Sequence, residues 1–177
     1  RMAMDQTDGA EFDRVVDTIR AARHVYIVGF RSSSFLAGYL NFYFRLIYDN
    51  VTQVQSGAAG TFDQLFRVGP GDVVIAICFP RYSELALKTV QYAKDRGATI
   101  IAITDSEMSP VYQMSSASIL VRNEMISFVD SLAAPMSMLN ALILAAAHKQ
   151  EADISSTFGE LEHVWDRFGI FGKVEDE

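Results

Sequence analysis

Three short loops carry the residue types that could bind a charged small molecule. The first, GFRSSS (Gly29 to Ser34), ends an apolar run with glycine and follows it with an arginine and three hydroxyls. A glycine lets the backbone turn sharply, and the free N–H groups of a helix start favour an anion. Arg31 adds a fixed positive charge, while Ser32, Ser33 and Ser34 are also ordinary helix-capping residues. The second loop, CFPRYSE (Cys78 to Glu84), sets Arg81, Tyr82 and Ser83 before another helix. A guanidinium grips a phosphate through two donors. Ser83 as a cap beside an exposed Arg81 and a turn-forming Pro80 is the plainer reading. The third, TDSEMSP (Thr104 to Pro110), offers Thr104, Asp105 and Ser106 to a ligand, although aspartate at a loop start is common for turn reasons alone. Ser106 or Ser109 could equally cap a short helix.

What positions these loops is a strand–helix alternation. Val73 to Ile77 reads as a buried strand, Tyr82 to Arg96 as an amphipathic helix stopped at Gly97, and Thr99 to Thr104 as a second buried strand. Such units build parallel sheets, whose ligand sites lie at the carboxyl ends of the strands. Upstream, Phe12, Val15, Val16 and Ile19 predict a helix from Gly9 to Ala22, followed by a strand at Val25 to Phe30. The next helix carries Phe35, Tyr39, Phe42 and Leu46 on one side, and a short strand covers Val51 to Val54. Phe62 to Arg67 reads as one or two helical turns, Ser118 to Val121 as a fifth strand, and Ser155 to Phe168 as a last amphipathic helix. The expected architecture is a three-layer α-β-α sandwich with a five-stranded, mainly parallel sheet.

Composition narrows the function classes. The 177 residues fit one domain; half are apolar and 21% are charged, as in a globular protein. A net charge of −7 argues against gripping a nucleic-acid backbone, which needs clustered Lys and Arg. A single cysteine, Cys78, excludes an internal disulfide framework and fits a reducing, cytoplasmic setting. The longest apolar run, Leu132 to Ala147, is shorter than the ~20 residues of a spanning helix, so no membrane association is expected. His24, His148 and His163 are scattered without metal-ligand spacing, and Cys78 has no nucleophile's neighbours, so no metal, cofactor or catalytic residue is expected. The helix from Ser131 to about Lys149 has almost no polar face, which predicts burial on all sides, partly by a second subunit. The aromatics Phe35, Tyr39, Phe42, Tyr43, Phe44 and Tyr48 are read as core and subunit interface.

Taken together, GFRSSSFLA, GDVVIAICFPRYSELAL and AKDRGATIIAITDSEMSPV resemble the sugar isomerase (SIS) fold. More narrowly, they look like the effector domain of RpiR-family bacterial transcriptional regulators, over roughly Phe12 to Ala147. The resemblance implies a flavodoxin-like SIS domain that binds a sugar phosphate effector, forms a homodimer or homotetramer, and touches DNA only through an N-terminal helix-turn-helix region. No such region lies in this chain, and its opening on Arg1 suggests a fragment of a longer protein. Many SIS domains carry a Ser-x-Ser-Gly-x-Ser/Thr phosphate loop. Here that frame reads Cys78-Phe79-Pro80-Arg81-Tyr82-Ser83, keeping only the last hydroxyl. Either Arg81 takes over phosphate binding, the ligand is not an ordinary sugar phosphate, or binding has been lost; the first is preferred because arginine is a competent phosphate donor. In isomerising relatives a glutamate after the fifth strand moves a proton between C1 and C2. Glu124 falls in that region, and a role as a solvated carboxylate or sugar-hydroxyl acceptor is preferred. The expected ligand set is therefore Arg31, Ser32, Ser33, Ser34, Arg81, Tyr82, Ser83, Thr104, Asp105, Ser106 and Glu124. Three functions compete: a phosphosugar-sensing module, an aldose–ketose isomerase, and a dimerisation domain without ligand.

Overall fold

The apolar runs at Val25–Val28, Val73–Ile77 and Thr99–Thr104 become strands buried on both faces. A computed structural model describes residues 8–57, 60–123, 125–126 and 129–171. In chain order the elements are α1 (Gly9–Arg20), β1 (Val25–Val28), α2 (Ser33–Ile47), β2 (Val51–Val54), α3 (Thr61–Gln64), β3 (Val73–Ile77) and α4 (Glu84–Asp95). There follow β4 (Thr99–Thr104), α5 (Pro110–Met114), β5 (Ala117–Leu120), β6 (Met125–Ile126), β7 (Val129–Asp130), α6 (Ala133–Lys149) and α7 (Glu151–Phe168). Strands β1 to β5 form one parallel sheet in the order β2-β1-β3-β4-β5, and β6 pairs with β7 as a small antiparallel hairpin.

Alternation along the strands divides the core into two layers. Val25, Ile27, Val73, Ile75, Ile77, Ile101, Ile103 and Ile119 point to the side covered by α1, α2 and α6. Tyr26, Val28, Val74, Ala76, Cys78, Ile100 and Ala102 point to the other, with Ala86, Val90 and Ala93 of α4 and Val111 of α5. The sheet is therefore the middle of three layers. Each buried Val or Ile contributes about 1.5–3 kcal/mol relative to exposure. Helix α4 is capped by Ser83, whose side chain accepts from the Ala86 N–H, and it ends before Gly97. At Gly97 φ is 89°, and a Cβ there would meet Pro70 Cγ at 3.1 Å, so glycine is needed at this stop.

Several elements refine or correct the sequence-based expectation. Of the two serines that could cap a short helix, Ser109 does so: fully buried, it starts α5 by accepting from the Tyr112 N–H at 3.2 Å. Helix α7 begins four residues earlier than its amphipathic pattern indicates. The expected stripe of α2 faces outward, with Phe35 71% and Phe42 60% exposed, while Leu36, Ala37, Leu40 and Phe44 pack inward. Within the single chain, α6 is buried on one face. Its inner face packs through Met138, Leu139, Leu142 and Ala146, whereas Ser137, Asn140 and Leu144, the last 70% exposed, face solvent. Helices α1 and α2 flank α6 within the chain, so its apolar circumference is covered further than a sheet alone would cover it. No helix among the described residues is long and apolar enough to cross a membrane.

Candidate functional site

The sheet order fixes where a ligand fits. From β1 the chain moves outward to β2, then crosses back to β3 on the other side of β1. The connections after β1 and β3 therefore diverge and leave a crevice between their carboxyl ends, the switch-point position of open α/β sheets. A cavity of about 430 Å³ lies there, lined by Phe30 to Ser33 after β1, by Ile77 to Glu84 and Ala86 after β3, and by Asp130 of the hairpin. That volume is within the range of small-molecule sites.

The first wall is shaped by backbone geometry. Gly29 follows β1, and a Cβ there would lie 2.7 Å from the Ser33 carbonyl oxygen, so only glycine permits so close an approach of α2. Arg31 adopts φ 55°, a left-handed conformation that costs a non-glycine residue on the order of 1–3 kcal/mol and clusters at functional sites. Its guanidinium is exposed and unpaired with any carboxylate among the described residues. Ser32 stands at the N-cap of α2 but makes no capping bond; its hydroxyl donates instead to Asp130 Oδ2 at 2.7 Å. Ser33 is buried, and Ser34 turns its hydroxyl back to the Arg31 carbonyl.

The second wall is held from below. The Thr104 hydroxyl, at the end of β4, donates to the Cys78 carbonyl at 2.7 Å, joining the ends of β3 and β4. Asp105 Oδ1 accepts the Tyr82 hydroxyl at 2.8 Å and lies 3.2 Å from Thr104 Oγ1. Burial, then the hydrogen bond and negative charge of Asp105, push the Tyr82 phenol up to about 12. Tyr82 therefore stays a donor at any ordinary pH and ties the Arg81-bearing loop to β4. Burial also raises the Cys78 thiol, so it stays protonated and behaves as a small apolar wall. Arg81 is exposed and, among the described residues, has no carboxylate partner. Two unpaired guanidiniums, the N-terminus of α4 and the hydroxyls of Ser32 and Ser83 thus border one crevice. The arrangement can hold an anion of phosphate type.

Of the expected set, Arg31, Ser32, Ser33, Arg81, Tyr82 and Ser83 line this cavity. Ser34, Asp105 and Ser106 stand outside its wall, and Thr104 is fully buried with its hydroxyl used within the protein. Glu124 lies outside the described residues. Asp130 was missed, because a single aspartate before a helix is indistinguishable in sequence from an ordinary turn residue. Elsewhere, His24 is within 2.9 Å of Thr52 Oγ1, and His148 and His163 are exposed on α6 and α7; none lines the cavity. No group of three potential metal ligands occurs among the described residues.

The profile of the SIS domain matches residues 18–145, well over half of the chain. The chain belongs to the SIS domain family. Among solved structures, the SIS fold here is similar to the sugar isomerase domain of an RpiR transcription factor from Sphaerobacter thermophilus. That match has 21% identity and a TM-score of 0.85, and covers 90% of this chain and 89% of that one. The NanR protein of Vibrio vulnificus, complexed with ManNAc-6P, aligns at 14% identity and a TM-score of 0.75, over 94% of this chain but only 63% of its own. A Methanococcus jannaschii protein, whose structure infers a molecular function of 3-hexulose-6-phosphate isomerase, aligns at 16% identity and a TM-score of 0.69. That alignment covers 87% of this chain and 88% of the other.

Proposed function

We propose that this SIS domain is a phosphosugar-binding effector module of an RpiR-type bacterial transcriptional regulator. The observation that carries the reading is the crevice between β1 and β3, where Arg31, Arg81 and the start of α4 leave strong anion donors unpaired beside hydroxyl groups. The NanR protein, of the same fold, was solved in complex with ManNAc-6P, which supports a ligand of this chemistry. In this reading the phosphate rests on Arg31, Arg81, the α4 N-terminus and Ser83, and the sugar extends towards Ser32 and Asp130. Glu124 remains a proposed sugar-hydroxyl acceptor. The net charge of −7 leaves DNA binding to a helix-turn-helix region outside this sequence, in a cytoplasmic homodimer or homotetramer. Ligand binding would shift the geometry of the dimer and with it the spacing of the DNA-binding regions. A monodisperse monomer in light scattering at micromolar concentration contradicts the oligomeric part of this proposal.

An aldose–ketose sugar-phosphate isomerase is the alternative, favoured by one observation: a carboxylate, Asp130, already stands in the cavity. Against it, the described cavity wall holds no histidine to open a sugar ring, and Ser32 engages Asp130. Solvent-deuterium incorporation into an incubated sugar phosphate, followed by proton NMR, separates an isomerase from a binder.

The binding reading is tested by a thermal-shift screen against hexose, pentose, amino-sugar and acid-sugar phosphates. A ligand at ~100 times its Kd adds about 2.7 kcal/mol. In a chain of this length that is roughly 5–10 °C. No shift with any member of the panel overturns the phosphosugar assignment and leaves a dimerisation domain.

A further inference from the structure

Ser32 is the unusual residue of the cavity wall. A serine at an N-cap normally accepts a backbone N–H of the first turn, but this hydroxyl makes no capping bond. It donates instead to Asp130 Oδ2 at 2.7 Å, across 98 positions of sequence, joining the start of α2 to the β6–β7 hairpin. Asp130 is paired through its backbone register with Met125, so the hairpin and the serine both fix it. Its second oxygen, Oδ1, has no hydrogen-bond partner among the described residues. The other cavity carboxylate, Glu84, lies 3.5 Å from Lys88 with its side chain 87% exposed, so partner and water neutralise it.

We propose that Asp130, positioned by Ser32, is the specificity-determining carboxylate of this pocket: it selects sugar phosphates that present hydroxyl, amine or amide hydrogens and rejects phosphorylated sugar acids. The inference rests on the phosphosugar reading above. Its logic is one of donors and acceptors. Arg31 and Arg81 can only donate, so they take the phosphate; an ionised Asp130 can only accept, so it needs hydrogens from the rest of the ligand. A neutral or amino sugar supplies them. A sugar acid, once its phosphate occupies the arginines, must place a second anion beside Asp130 in about 430 Å³. Like charges at that range discriminate strongly, and rejection of the wrong ligand is as effective a source of specificity as attraction of the right one.

The experiment is calorimetric titration of the protein with inorganic phosphate, a hexose 6-phosphate, a hexosamine 6-phosphate and a hexonate 6-phosphate. The wild type is expected to bind the hexose or hexosamine ester at least about tenfold more tightly than the hexonate ester. Asp130→Asn is expected to narrow that ratio below about threefold, mainly by strengthening hexonate binding, with a smaller gain for inorganic phosphate than for the hexonate. Ser32→Ala keeps the charge but loosens it, so sugar affinity falls while the hexonate is still rejected. A ratio unchanged in Asp130→Asn, or a wild type that prefers the hexonate, overturns the role of Asp130 alone. Binding of neither inorganic phosphate nor any ester overturns the phosphosugar reading and this inference with it.

Discussion

Removing one hydroxyl, by Tyr82→Phe, tests whether the loop carrying Arg81 is clamped to β4. The Tyr82 hydroxyl donates to Asp105 Oδ1 at 2.8 Å, and a hydrogen bond to a charged group contributes about 1.5–3 kcal/mol. The hydrogen of Thr104 is held by the Cys78 carbonyl and does not replace the phenol, but water can reach the half-buried Asp105, so the loss falls at the lower end, about 1.5 kcal/mol. The phenol is pushed up to about 12, first by burial and then by the hydrogen bond and negative charge of Asp105. Because the folded-state value is raised, this stability is complete below about pH 10 and is lost as pH climbs towards 12. Urea melts of both proteins are expected to differ by about 1.5 kcal/mol at pH 8, a fall of roughly 3–6 °C in Tm, with the gap closing between pH 10 and 12. Absorbance at 295 nm should show one late-titrating phenol disappear in the variant. Equal stability at pH 8, or a gap that persists through pH 12, refutes the clamp.

Three further outcomes follow from the same geometry. Arg81→Ala is expected to leave folding intact, since the side chain is exposed, while weakening sugar phosphate binding about 10- to 100-fold by calorimetry. Asp72 is 1% exposed, gripped by Arg23 through bonds of 2.8 and 2.7 Å, and accepts the Gly69 N–H at 2.9 Å. The Arg23 hydrogen bond holds its carboxyl below the ordinary value, so the stability it contributes is present above about pH 4 and is lost as pH falls through the lowered value. Asp72→Ala is expected to cost about 2–3 kcal/mol in urea melts at pH 7 and to flatten the acid limb of the stability profile. Gly29→Ala places a Cβ 2.7 Å from the Ser33 carbonyl oxygen and forces the two apart; a lower Tm and loss of the ligand-induced thermal shift are expected, and a variant with both intact contradicts the tight β1–α2 turn.

Long-range order was legible wherever one residue pattern had one solution. The unit β3–α4–β4 followed from two unbroken apolar runs around an amphipathic helix with Ser83 at one end and Gly97 at the other. Helix α2 was recognisable as a helix, but its inward face was not, because Phe35 and Phe42 recur at the same helical spacing as Leu36, Leu40 and Phe44. Elements of two residues, β6 and β7, are too short to leave a periodic trace, and α5, at five residues, showed itself only through its capping serine. The site was legible in its cationic half, since arginine and serine ahead of a helix announce themselves. Its acceptor half was not. Asp130 is reached by the Ser32 hydroxyl, and a contact spanning 98 positions has no local signature. Thr104 carried the right chemistry, yet its hydroxyl satisfies the Cys78 carbonyl, a partner only the parallel pairing of β3 and β4 could supply.

The central claim, that a sugar phosphate binds between β1 and β3, is tested most directly by mapping amide chemical shifts of the ¹⁵N-labelled protein as the best ligand of the panel is titrated in. Saturable shifts at Arg31 to Ser34 and at Arg81 to Glu84, abolished by Arg81→Ala, are the predicted result. Saturable shifts confined to any other surface, with these amides unmoved, would contradict it.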